Sequence, residues 1–271
     1  MSVRQANLST VRNKKQYNTV SAGSVSSAGS GGTTSNVTNY NGTGQTWRVH
    51  QFTSNSSFSV TQTGTSERNP GSASPQLTDA RLLVVGAGFN GATTGYYSRN
   101  GTGGNGGRVL SNDTTTITSG AQSVTIGANG GGNSSLGSFS SSTGSSVGTG
   151  GSGTNCCYVT GGGGTAGHLS TITGTSTRFG GGGGGGGSAG DNPRVGGGSG
   201  GAGGGGNGGT GATFDGQNAG TGGAGTASTG GGGGGAGGTG DRSNPGYNWN
   251  TADYPGGTGG SGIVIVSYRV A

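Results

Sequence analysis

The chain has 271 residues, 75 of them glycine and only 5 proline, and the glycines follow no Gly-X-Y period, which excludes collagen. With 25% hydrophobic and 7% charged residues a large side-chain core is out of reach. Stability must then come from backbone hydrogen bonds, small packed interfaces or association between copies.

The net charge of +6 is unevenly spread. Arg4, Arg12, Lys14, Lys15 and Arg48 all precede the first acid, Glu67. Cations this sparse read as a solvated arm that docks on a partner, not as a nucleic-acid footprint. The sequence shows no secretory core and no transmembrane run. The expectation is a protein neither secreted in the ordinary way nor inserted in a membrane.

Residues 1–45 read as this basic, extended N-terminal docking arm, with Arg4, Arg12, Lys14, Lys15 and Tyr17 as its docking residues. Trp47 to Phe52 and Ser57 to Thr61 alternate with period two around Asn55, which predicts a hairpin. Gly64 to Thr78, with Pro70 and Pro75, reads as a loop. Ala80 to Val85 is a buried strand, and Arg108 to Leu110 a short one. Thr114 to Ser119 and Ala121 to Ile126 alternate around Gly120 and predict a second hairpin. Ile263 to Val270 is the last strand. Apart from the N-terminus, no stretch carries a helical period.

Between these strands lies the glycine-rich stretch from Phe179 to Gly262, opened by the unbroken run Gly180 to Gly187. Ordering each residue costs about 1–2 kcal/mol, and glycine loses most. Polyglycine-II geometry offers a way to recover this, because its N–H and C=O groups point outward to neighbouring strands. Each such bond nets about 0.5–1.5 kcal/mol. Bulky residues interrupt the glycines at short intervals (Phe139, Tyr158, Phe179, Val195, Phe214, Tyr247, Trp249, Tyr254), which a solvated linker does not need. The fold expected is mainly β with a bundle of polyglycine-II helices, and a small antiparallel β-sandwich or clasp closed by the C-terminal strand. The division expected is an arm over 1–45, a sandwich over 46–127 plus 262–271, and a glycine bundle over 128–261.

Few motifs carry chemistry. Gly86, Gly88 and Gly91 satisfy the dinucleotide-binding spacing, but no amphipathic helix or βαβ unit follows them. The only lysines are Lys14 and Lys15, so there is no P-loop. His50 and His168 lack ligand spacing and read as hydrogen-bonded structural residues. Cys156 and Cys157 are adjacent and read as thiols, because a vicinal disulfide is strained. The acids are scattered singly. No catalytic residue, metal or cofactor is expected.

The inserts between glycine runs are richer. They are 191–195, 213–218 and 241–250. Within them Asp191, Asn192, Arg194, Phe214, Asp215, Gln217, Asn218, Arg242, Asn244, Tyr247, Asn248 and Trp249 are candidate contacts to a receptor. Tyr, Trp, Arg and Asn give contact area at low entropic cost. Tyr247 and Trp249 are equally readable as plugs for the end of the bundle.

The ordered motifs Gln51-Phe52-Thr53, Phe58-Ser59-Val60, Leu82 to Gly88, Ser123 to Gly137 and Gly257 to Tyr268 resemble the glycine-rich domain of phage tail-fibre and other virion proteins. More distantly, the glycine blocks are similar to the polyglycine-II adhesins that cap long tail fibres of T-even-like phages. The resemblance implies a bacteriophage virion structural protein on an exposed tail or capsid surface. Its loops would meet a bacterial surface glycan or outer-membrane protein, and its arm would meet other virion proteins. It also implies a homo-oligomer such as a trimer, with no nucleic acid, no membrane insertion and no enzymatic activity. A purely structural capsid decoration or tail-knob protein is the alternative. Ice binding ranks below both, because the spacers are irregular and include Arg and Asp.

Overall fold

A computed structural model describes residues 28–61, 76–94, 101–153, 159–189, 194–213, 218–239 and 253–270. The protein is mainly β. In chain order the strands are β1 (Gly29–Ser30), β2 (Thr33–Val37), β3 (Trp47–Phe52), β4 (Ser56–Val60), β5 (Gln76–Val85), β6 (Val109–Thr118), β7 (Gly120–Thr125), β8 (Ser135–Leu136), β9 (Phe139–Ser140), β10 (His168–Ser170), β11 (Thr177–Phe179) and β12 (Ile263–Arg269). They form three antiparallel sheets: β1-β4-β7-β8-β9, β2-β3-β12-β5-β6 and the hairpin β10-β11. Among the described residues the only helical turns are short 3₁₀ segments at Tyr40–Gly42 and Ser141–Thr143. No helix there is long and apolar enough to cross a membrane.

β12 is the central strand of the second sheet. Its Ile263-Val264-Ile265-Val266 lies opposite Val85-Val84-Leu83-Leu82 of β5 and continues opposite β3 on its other edge. Both apolar runs are continuous because the sheet is covered on both faces. One face, with Phe52, Leu82, Val84, Val264 and Tyr268, packs against Phe58, Val124 and Leu136 of the first sheet. The opposite face, with Val49, Leu83, Val85, Ile263 and Ile265, packs against Ile172 and Phe179 around the β10-β11 hairpin.

Several expectations are corrected. β3 and β4 do not form a hairpin. β3 pairs with β2 and β12, while β4 pairs with β1 and β7. The intervening residues carry the chain from one sheet to the other, and Asn55 uses its Oδ1 to accept the Ile126 N–H (2.7 Å). The same switch occurs at Gly120 (φ 89°), where β6 leaves β5 and β7 joins β4. Alternation marks a strand with two unlike faces and does not name its partner. β1 and β2 lie within the 1–45 segment read as an arm, and β8-β9 extend the first sheet beyond residue 127. Arg4, Arg12, Lys14, Lys15 and Tyr17 lie outside the described residues, as do Cys156 and Cys157.

The glycine-rich residues, 86–94 and 101–108 among them, form a hydrogen-bonded body of their own. Ten extended runs are described: 86–94, 101–108, 145–153, 159–167, 180–189, 194–202, 204–213, 218–226, 230–239 and 253–262, numbered here 1 to 10. In run 5 the amide partners repeat every third residue. Gly182, Gly185 and Ser188 donate to run 4, Gly183 and Gly186 to run 2, and Gly184 and Gly187 to run 7. Its carbonyls accept from runs 3, 6 and 9 in the same way. Run 9 is enclosed likewise, donating to runs 5, 1 and 8 and accepting from runs 2, 10 and 7. These bonds arrange the runs in three layers: 1, 2 and 3; then 4, 5, 9 and 10; then 6, 7 and 8. The two enclosed runs carry the two longest glycine blocks, Gly180–Gly187 and Gly230–Gly235, because neighbours on every side leave no room for a Cβ.

Outer runs carry the spacers. Asn105 Oδ1 in run 2 accepts from Gly150 in run 3 (2.9 Å), Asn207 Oδ1 in run 7 from Gly200 in run 6 (2.9 Å), and Asn90 Oδ1 in run 1 from Gly259 in run 10 (2.9 Å). The Thr165 hydroxyl in run 4 accepts from the Thr149 amide in run 3 (2.7 Å). These four outer amides are thus satisfied by side chains from the next run.

Candidate functional site

The runs alternate in direction, so one end of each adjoins the strands and the other lies away from them. At the far end the chain passes between runs through 95–100, 154–158, 190–193, 214–217 and 240–252, all outside the described residues. Asp191, Asn192, Phe214, Asp215, Gln217, Arg242, Asn244, Tyr247, Asn248 and Trp249 fall in these segments. Of the predicted contacts only Arg194 and Asn218 are described. Both are exposed, and the structure brings them together: Arg194 Nη2 donates to the Asn218 carbonyl, and its Nε to the Gly211 carbonyl (3.4 Å). Arg194 therefore bridges the two stems of the segment 214–217.

The far ends of the described runs are built of small side chains and hydroxyls. Ala212, Ala219, Ala236 and Tyr254 cluster there, with Ala189 against them. Tyr254 and Thr94 exchange both backbone bonds (3.0 Å each), and Thr94 Oγ1 donates to the Gly237 carbonyl (2.8 Å). Ser188 Oγ accepts the Val159 amide (2.9 Å). Thr94, Ser188, Thr213 and Thr239 are all buried. Burial pushes the Tyr254 phenol up from its ordinary value, and the positive charge of Arg194 pulls the other way. In the sequence Tyr254 stands out only as one of the bulky residues that interrupt the glycines. The signal available was its position directly before Pro255, at the start of a run.

Elsewhere the chemistry is spare. The dinucleotide-like glycines lie in run 1, where the Gly88 and Gly91 amides donate to Gly260 and Gly257 (2.9 Å each), so neither points at a free cleft. Among the described residues no His, Cys, Asp and Glu side chains gather as a metal site. A shallow crevice between the 53–55 turn and Ile126–Asn129 is closed on one side by Ser261 and holds no titratable group. His168 is half-buried in β10, opposite Phe179.

His50 is buried between the sheets. Its Nδ1 lies 2.7 Å from the Gly31 carbonyl and its Nε2 3.2 Å from the Tyr268 hydroxyl, which accepts the Gly29 amide (3.0 Å). A carbonyl only accepts, so Nδ1 carries the proton and Nε2 accepts from Tyr268. The ring stacks on Tyr268 (5.6 Å between centroids) and meets Phe58 edge-on (5.1 Å). Burial, and secondarily the charge of Arg48, hold its pKa below the ordinary value of 6.5, while the Gly31 bond opposes them.

No protein-family model, curated protein or solved structure matches this chain.

Proposed function

We propose that the ten runs are polyglycine-II helices, that β12 closes them against the sandwich, and that the protein is a bacteriophage virion structural component. In this reading it belongs to a tail fibre or appendage, and its far-end segments meet the host surface. The observation that carries the proposal is the layered hydrogen-bonding of the runs, whose partners repeat every third residue. That period is the one three-fold polyglycine geometry requires. A rigid body of this kind can hold variable segments at one end without a large hydrophobic core. The segments joining runs at that end contain Tyr, Trp, Arg, Asn and Asp, suited to a bacterial glycan or outer-membrane protein. The role is binding and assembly, not catalysis. The basic residues Arg4, Arg12, Lys14 and Lys15 would dock the arm on other virion proteins, in a homo-oligomer such as a trimer.

The test exchanges 191–193, 214–217 and 241–250 for Gly-Ser segments of equal length in virions carrying the protein. Loss of adsorption with intact particles is the expected result, and unchanged adsorption and host range would sink the adhesin role. Deleting residues 1–20 is expected to prevent incorporation into the virion. A second reading, a purely structural capsid decoration or tail-knob protein, is favoured by the internal ties of Arg194 and Tyr254. It predicts unchanged adsorption together with weakened particles.

A further inference from the structure

We propose that His50 is an acid-sensitive latch on residues 28–32, which lead from β1 in the first sheet to β2 in the second. This segment crosses between sheets. β1 pairs with β4 of the first sheet, β2 with β3 of the second, and Gly31 and Gly32 turn between them at φ 118° and 64°. The crossing is tightly fitted, since a Cβ on Gly29 would meet the Phe58 ring at 2.5 Å and one on Gly31 the Ser57 carbonyl at 2.3 Å. It is also thinly bonded. β1 is two residues long, and one further backbone bond, from Thr61 to the Ala28 carbonyl, extends it. The side-chain bonds on the crossing come from His50 to Gly31 and from Tyr268 to Gly29.

Only the second depends on the neutral ring: Nδ1–H donates to Gly31 in either form, whereas a neutral Nε2 takes the Tyr268 proton and leaves that oxygen to the Gly29 amide. On protonation Nε2 becomes a donor aimed at the Tyr268 oxygen, so the Tyr268 proton must leave that line. Its alternative acceptor is the Gly29 carbonyl at 3.4 Å, a long bond. The new charge would sit between the Phe58 and Tyr268 rings, 1% exposed. Of the elements packed on it, β4 presents Phe58 and the 28–32 crossing presents backbone, neither charged. β12 presents the neutral phenol of Tyr268, and β3 presents Arg48, which adds repulsion. Among the described residues no carboxylate contributes to balance it. A depressed folded-state pKa means that the stabilisation is complete above about 6.5, the value of a released histidine, and is lost as pH falls through the folded value. Acid would thus loosen the 28–32 crossing before the paired strands of the second sheet, where Leu82–Val85 and Ile263–Val266 present no titratable group.

The experiment is amide hydrogen exchange on the full chain between pH 7.5 and 5, corrected for intrinsic rates, with the His50 ring nitrogens followed by NMR. The expected result has two parts. Protection over 28–32 falls about tenfold for each pH unit from 6.5 down to the folded His50 midpoint and levels off below it, while 82–85 and 263–266 hold. The levelling coincides with protonation of His50 Nε2. Two wild-type results would overturn the latch: protection lost equally in core and crossing, or a fall centred in the carboxylate range while His50 stays neutral. In H50Q the crossing is expected to lose its pH dependence, and an unchanged dependence there would also overturn it. The wild-type titration decides the matter if that variant does not fold.

Discussion

Gly183 faces the carbonyl of Gly233 so closely that a methyl group added to it would lie 2.0 Å from that oxygen. These residues belong to the two enclosed runs, and what they would meet is backbone, which cannot swing aside as a side chain can. Gly183→Ala is therefore expected to cost at least about 3 kcal/mol, at the upper end of overpacking. Gly196→Ala, in an outer run with nothing within 4 Å of the added carbon, is expected to be neutral or stabilising by up to about 1 kcal/mol. Urea unfolding of the two variants checks the contrast.

The asparagines of the outer runs are expected to act as amide acceptors and not as inert spacers. Asn105→Ala and Asn207→Ala each leave one glycine amide to water and should cost about 1 kcal/mol. Asn→Asp keeps the acceptor and should recover most of the loss. Hydrogen exchange at Gly150 and Gly200 reads the effect locally.

Removing the Tyr268 hydroxyl strips a partner from both the Gly29 amide and His50 Nε2. Tyr268→Phe is expected to destabilise by about 1–3 kcal/mol at neutral pH, since both groups are buried. Thermal unfolding at pH 7.5 measures the loss.

The Arg81–Asp113 ion pair (2.5 Å) gives the opposite expectation, because the Asp113 side chain is 77% exposed. Asp113→Ala should change stability by less than about 0.5 kcal/mol, with what effect there is shrinking in salt. Arg81→Ala should cost more. Arg81 also lies over the Tyr40 ring (5.5 Å), donates to its hydroxyl, and so joins β5 to the Tyr40–Trp47 stack.

Ending the chain at Gly262 is expected to abolish cooperative unfolding, because β12 is the strand that both β3 and β5 need as a neighbour. Circular dichroism melts of the truncated and full chains give the comparison.

How much of this was legible in the sequence depended on whether the controlling contact is local. Leu82 to Val85 and Ile263 to Val266 were readable as buried strands because burial on two faces writes itself as an unbroken apolar run. The partners of β4 and β7 were not readable, since Ser57-Phe58-Ser59-Val60 alternates identically in a hairpin or in a strand that has changed sheets. β10 and β11 are three residues each, too short for a period to show. At the far end, Arg194 and Asn218 were singled out by residue type. That Arg194 reaches Gly211 and Asn218 follows from which runs lie side by side, which no local pattern records. His50 was read correctly as hydrogen-bonded, but its partners lie 19 and 218 residues away.

The three-residue repeat of run 5 also limits how such a chain can change length. Inserting or deleting one or two residues inside an enclosed run would rotate every later amide away from its acceptor and towards a different neighbour. Gaining or losing three residues restores each bond and shifts the run's end by one repeat. Length variation in the glycine body is thus quantised in triplets, whereas the segments between runs can vary one residue at a time.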